Sequence, residues 1–182
     1  MTAASLYNCK TTCTGSLDCT TNQGSITGGE TRCIGRLTCI TAGSRLHEKT
    51  FISVGDCSDY IAEKIMLERS LNRIESELEK ITRRISTLEI QKNDLGFLTA
   101  EDDDFLAAAK RIKSQKEADK IPVLKKIKEA EEIIKSAENS VFKAQRSLHA
   151  DVTLQIKNYK RVIDAEFGKI TAFVNNYGIV FS

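Results

Sequence analysis

The sequence predicts a mixed β and α protein: a β-solenoid interrupted by an inserted antiparallel coiled-coil hairpin. Three observations carry this. The heptapeptides CTGSLDC (13–19) and CIGRLTC (33–39) share the frame C-x-G-x-L-x-C twenty residues apart. A long central stretch has apolar residues stepping by 4 and 3. Strand-like alternation then returns in the last 35 residues.

In an extended strand, side chains of equal parity share a face. Cys13, Gly15, Leu17 and Cys19 fall on one face, opposite Thr14, Ser16 and Asp18. Cys33, Gly35, Leu37 and Cys39 repeat the pattern opposite Ile34, Arg36 and Thr38. One face is small and apolar, the other mostly polar. The frame extends weakly onward, with Leu46 answering Ile26 and Gly55 continuing the Gly15, Gly35 series. A repeat near 20 residues, built of short strands and glycine turns, is the grammar of stacked solenoid rungs.

The six cysteines (Cys9, Cys13, Cys19, Cys33, Cys39, Cys57) admit another reading, a metal-binding or redox module. Zinc sites usually space their cysteines two to four residues apart. Here the spacing is C-x5-C, and six extended residues span about 20 Å. A bend at Gly15 would shorten that reach. Stacked rungs instead bring Cys13 beside Cys33 and Cys19 beside Cys39, about 4.8 Å apart, as a ladder of pairs. Free cysteine packs as a small hydrophobe, so interior packing is the expected role, with no metal and no cofactor.

Residues 58–147 hold eighteen basic and eighteen acidic side chains and almost no glycine, which marks solvated helix. Leu67, Leu71, Ile74, Leu78, Ile81, Ile85 and Leu88 form an a/d seam. Lys92 interrupts it and Leu95 resumes it. Asn93 and Gly96 are stop signals. Thr99 is the expected N-cap of the next helix, with Asp102 three residues on and a short apolar stripe of Phe105, Leu106, Ala109 and Ile112. Pro122 breaks or restarts the pattern. From Val123 the spacing resumes through Ile127, Ala130, Ile134, Ala137, Val141, Ala144 and Leu148. The predicted helices are 58–94, 99–116 and 121–147.

After residue 148 strands return. Val152, Leu154 and Ile156 share a face, and Asn175-Asn176-Tyr177-Gly178 is a turn between apolar runs. The predicted organisation is therefore 1–57 solenoid rungs, 58–147 inserted hairpin and 148–182 strands completing the solenoid.

Net charge is only +2, which supplies no bulk attraction for nucleic acid. No apolar run reaches a membrane span, and MTAASLYNCKTTC has neither the basic start nor the apolar core of a secretory signal. Cytoplasm is the expected compartment, without membrane insertion. The basic stretch KRIKSQK (110–116) lacks interleaved aromatics and reads as a solvated face. His47 and His149 are expected on the surface or in turns, and Glu101-Asp102-Asp103-Asp104 reads as helix capping. No phosphate loop, nucleophile elbow or Cys/His pairing occurs, so the chain is not expected to be an enzyme; a β-helix enzyme with an unrecognised site is the alternative.

The segment GSITGGETRCIGRLTCITAGS (24–44) with KTFISVGD (49–56) resembles the C-terminal region of the flagellar assembly protein A family. The family's G-x-I-x-G-G turn corresponds to Gly24–Gly29, with Gly28-Gly29 as its glycine pair. Its small strand residue falls at Cys33, its aliphatic at Leu37, its Gly-Ser pair at Gly43-Ser44 and its threonine at Thr50. The I-x-V-G-D step falls at Ile52–Asp56, followed directly by a coiled coil, as in the family. Val152-Thr153-Leu154-Gln155-Ile156-Lys157-Asn158 is similar to the strand that follows, with His149-Ala150-Asp151 where the family has an aromatic, proline and glycine. The resemblance implies a right-handed parallel β-helix carrying a coiled-coil hairpin. It also implies a cytoplasmic, non-enzymatic adaptor linked to flagellar assembly or placement at the cell pole. Partners would be other proteins, or the chain itself through the solenoid end or the arm. Family members carry a further N-terminal domain, so a fragment or a shortened relative is expected.

Overall fold

A computed structural model describes all 182 residues. The chain divides into two units: Met1–Tyr60 with Glu132–Ser182, and Ile61–Glu131.

The first unit holds ten strands. β1 (Leu6–Cys13) and β2 (Leu17–Cys19) form one rung, β3 (Ser25–Cys33) and β4 (Leu37–Ala42) the next. β5 (Thr50–Val54) opens the third rung, and β6 (Phe142–Leu148) closes it. Then come β7 (Val152–Ile156), β8 (Tyr159–Val162), β9 (Ile170–Asn175) and β10 (Gly178–Phe181). β1, β3, β5 and β7 pair in parallel on one side; β2, β4 and β6 pair in parallel on another. β8 adds antiparallel to β7, and β9 with β10 adds antiparallel to β6.

Registered pairing stacks like positions into interior columns. Cys13, Cys33, Val54 and Ile156 form one column; Thr11, Thr31, Ile52 and Leu154 form its neighbour. On the other side Leu17, Leu37 and Phe142 stack, as do Cys19, Cys39 and Ala144. Nearly all of these are buried in one continuous core, with Leu148, Val152, Ile163 and Ala172. Burying a Leu, Ile or Phe side chain contributes about 1.5–3 kcal/mol, so the columns are the main source of this unit's stability.

Several local expectations change. The chain turns at residues 14–16 and 34–36, so Gly15 and Gly35 lie at corners and not on the strand face shared by the cysteines. A rung must bend to close on itself. Leu46 is 83% exposed in a turn and does not answer Ile26, whose rung neighbours are Leu6 and Ala42. Gly55 occupies the place of Ile34, one step from the Gly15, Gly35 series: Ile34 N–H donates to the Cys13 carbonyl and Gly55 N–H to the Cys33 carbonyl.

Two helices, not three, lie between β5 and β6: α1 (Ser58–Leu95) and α2 (Ala100–Glu138). Gly96, at φ +76°, closes α1 with its N–H on the Lys92 carbonyl. Thr99 caps α2, its Oγ1 accepting from Asp102 N–H at 3.2 Å. α2 runs through Pro122 without a break. It ends at Glu138, not 147, and Val141 lies outside it. Ala144 and Leu148 belong to β6, where both face the core. Their spacing of four satisfies a helix stripe and a strand face equally, which is why the periodicity overran the true end.

Candidate functional site: the rung corner and the helical hairpin

The third rung is interrupted at its corner. β5 ends at Val54, and the chain returns at Val141, whose carbonyl accepts from Leu37 N–H at 2.9 Å. The two ends of this 56–140 excursion are adjacent. A Cβ placed on Gly55 would lie 2.6 Å from the Ser140 Cβ and closer still to its Oγ. Gly55 also sits at φ +77°, so only glycine fits without strain. Asp56 starts α1: its Oδ1 accepts from Ser58 N–H at 3.3 Å and from Ser58 Oγ at 2.8 Å. Its Oδ2 accepts from Gln155 Nε2 at 3.0 Å, tying the helix start to β7. The Lys157 ammonium donates to the Glu138 carbonyl at 3.4 Å, at the end of α2. The Gly-Asp pair of the sequence motif is thus the joint at which the helices leave the sheet.

The Gly28-Gly29 pair has a different task. Both residues have positive φ, and a Cβ on Gly29 would meet Cys9 N at 2.7 Å. Gly28 N–H donates to Thr50 Oγ1 at 2.8 Å, which explains why a threonine opens β5. Gly43 makes room for Val152 and His149, whose Cγ2 and Cβ would be 2.6 and 3.2 Å from an added methyl.

In the second unit α1 and α2 run antiparallel. Ion pairs cross between them along their length: Lys64–Glu131 at 2.8 Å, Lys120–Glu75 at 2.5 Å, Lys116–Glu77 at 2.6 Å, Lys110–Glu89 at 2.6 Å and Lys92–Asp103 at 2.7 Å. On α1, Ile85 and Leu88 are buried with Leu106 and Ala109 of α2, and Ile81 packs beside them. Leu67, Leu71, Ile74 and Leu78 are half-buried on the same side of α1.

The α2 seam differs from the expected one. Its covered positions are Leu106, Ala109, Lys113, Lys116, Lys120, Val123, Ile127 and Ala130, one unbroken run of 3 and 4 steps. Three lysines occupy the middle, half-buried, with Lys116 and Lys120 reaching Glu77 and Glu75. Lysine stems cover apolar surface while the ammonium finds a carboxylate. Sequence reasoning missed this because it scored lysine as polar; the signal was the uninterrupted spacing. Phe105 and Ile112, expected in the stripe, are each 49% exposed, and Phe105 instead carries the Arg84 guanidinium 5.6 Å from its ring centroid. In the basic stretch 110–116, Lys110, Lys113 and Lys116 pair with Glu89, Glu117 and Glu77. Lys116 and Arg73 hold the Glu77 carboxyl below its usual range.

Each cysteine is a free thiol. Cys19, Cys33 and Cys39 are buried; Cys9, Cys13 and Cys57 are half-buried. The pairs Cys13–Cys33 and Cys19–Cys39 stack in register, on different sides of the rung. Burial pushes Cys33 up to about 11, helped by the neighbouring Cys13 thiol, and raises Cys39 and Cys19 as well. No three His, Cys, Asp or Glu side chains converge as a metal-binding group would.

The histidines divide. His47 is exposed at φ +57°, and its Nδ1 lies 2.6 Å from the Asp151 carboxylate. His149 is buried, contrary to expectation, because its N–H continues the sheet onto the Ala42 carbonyl. Among Glu101–Asp104, Asp102 belongs to the Thr99 cap and Asp103 pairs with Lys92. No helix is long and apolar enough to cross a membrane.

Parallel rungs stacked in columns, with two long helices spliced into one corner, define a β-solenoid protein with an inserted helical hairpin. The Flagellar Assembly Protein A beta solenoid domain family matches residues 1–179, and the chain belongs to that family. Neither a curated protein nor a solved structure matches the chain.

Proposed function

We propose that this chain is a non-enzymatic adaptor of flagellar assembly that works through protein–protein contacts. In this reading the solenoid is a right-handed parallel β-helix, and the inserted helices form an antiparallel coiled coil. It acts in the cytoplasm, at the cell pole. Family membership supports the flagellar link, and the 3 and 4 spacing of the helix seams supports the coiled coil.

One observation carries the proposal. The two ends of the excursion meet at the corner, where a Cβ on Gly55 would lie 2.6 Å from the Ser140 Cβ, so the rung does not need residues 56–140 to complete it. Helices of 38 and 39 residues at such a point are dispensable for the solenoid and therefore serve another purpose. Met66, Leu95 and Ile121 on the helices and Phe97 in their connection are between 65% and 70% exposed, which leaves apolar side chains free for a partner. Partner contact is the economical use of such side chains.

The test replaces residues 59–137 with a short Gly/Ser linker in the cell. The expected product keeps its β circular dichroism and cooperative melting, while cells lose motility or misplace their flagella. Normal motility with the folded, shortened protein would count against the proposal. Self-association through the solenoid end or the hairpin belongs to the same reading. A strict monomer by sedimentation at high concentration would remove that part of it.

A further inference from the structure

A cavity of about 530 Å³ opens on the β4 and β6 side of the first unit, within the size range of small-ligand sites. Its lining is unusually rich in anion-binding groups. Between Cys39/Ala144 and Thr41/Ser147, β6 uses one residue more than β4, a β-bulge. Bulges re-aim side chains, and here Arg146 and Ser147, adjacent in the chain, line the same cavity. Ser147 Oγ lies 3.5 Å from Thr41 Oγ1 and 3.4 Å from His149 Nε2. On the other side of that imidazole, Nδ1 is 3.4 Å from Glu166 Oε1, and Arg45 Nη2 is 3.8 Å from the same oxygen.

The charges do not balance. Arg45 and Arg146 contribute two guanidiniums, and Glu166 supplies the single carboxylate. Glu166 touches Arg45 and His149 only at long range, with its side chain 48% exposed, while Arg146 forms no ion pair. A loosely held internal carboxylate beside an unpaired guanidinium is the arrangement of a site whose own side chain stands where a ligand group fits. Guanidinium forks match carboxylates bidentately, and two forks match two carboxylates.

We infer that this cavity binds a small dicarboxylate. One ligand carboxylate displaces Glu166 from Arg45 and His149. The other meets Arg146, with the Ser147 and Thr41 hydroxyls as donors and Phe167 as an apolar wall. The proposal is independent of the flagellar reading and stands or falls without the hairpin.

As a mere surface ion pair, Glu166 would only tether the chain after β8. The two readings differ in sign for one variant. The test titrates succinate into the full-length chain at low ionic strength by calorimetry, with succinamide as the uncharged control. Saturable one-to-one binding of succinate alone is expected. Arg146→Ala should weaken it at least tenfold, about 1.4 kcal/mol. Glu166→Gln should tighten it several-fold, because it removes the internal competitor. Both residues are exposed, and circular dichroism of each variant checks the fold. Four outcomes overturn the proposal: no binding up to about 20 mM succinate, a weak limit on any affinity scale; binding unchanged in Arg146→Ala; binding weakened in Glu166→Gln; or inorganic phosphate binding as tightly as succinate, which makes the cavity a general oxyanion site.

Discussion

The thiol columns make a quantitative prediction. The perturbation is a pulse of iodoacetamide at pH 8, under reducing conditions. Only the thiolate alkylates, so the rate follows its fraction. An ordinary thiol at 9.0 is about one-tenth ionised at pH 8, whereas Cys33, pushed to about 11, is about one-thousandth ionised. The smaller thiolate fraction alone therefore slows Cys33 about 100-fold relative to the denatured chain, and its 2% exposure slows it further. Cys39, raised by deeper burial and by the Cys19 beside it, is slower still. Between pH 8 and 10 the native Cys33 rate should climb about tenfold per unit. The assay is peptide mass spectrometry after timed quenching, native against guanidinium-denatured protein. The half-buried Cys9, Cys13 and Cys57 should label first. Native Cys33 and Cys39 reacting at the denatured rate would refute the interior columns. The same shift fixes a stability trend. The folded value lies above the unfolded one, so the contribution is full below about pH 9 and is lost as pH rises toward 11. Melting temperature should fall across that window.

Gly55→Ala should destabilise the first unit by about 3 kcal/mol, from positive φ and the Ser140 clash together, read as a lower urea midpoint at constant slope. Pro122→Ala should stabilise the hairpin by about 2 kcal/mol, since proline costs about 3 in a helix interior and returns part of that through the unfolded chain; slower amide exchange in α2 checks it. Leu88→Ala removes a side chain that is 1% exposed from a small cluster and should cost the hairpin about 3 kcal/mol, seen as lost helical circular dichroism at lower temperature.

What the sequence revealed depended on how many structures a given spacing allows. Two copies of C-x-G-x-L-x-C twenty residues apart allow few packings, and the rungs stack with Cys13 on Cys33 and Cys19 on Cys39. The corners were harder, because Gly15 has the parity of a strand position while its backbone turns. Ala137, Val141, Ala144 and Leu148 step by 4, 3, 4, which reads as helix until Phe142 and Ala144 are seen two apart on one strand face. Pro122 suggested a break that cross-helix packing and the Lys120–Glu75 pair override. The β4/β6 cavity had no sequence signal at all. Its residues come from four places, and a single extra residue in β6 brings Arg146 and Ser147 together.

The spliced corner bears on how the chain finds its fold. Joining Gly55 to Val141 by an unstructured tether of roughly 85 residues would cost about 4 kcal/mol of closure entropy. A hairpin that zips locally, on the microsecond scale of helix formation, delivers both ends to one spot before the third rung is sealed. Nascent chain emerging after Val54 therefore has reason to wind its helices first, and the β-sheet waits on them. Slowing the zippering should leave a two-rung species exposed to proteases long enough to be caught.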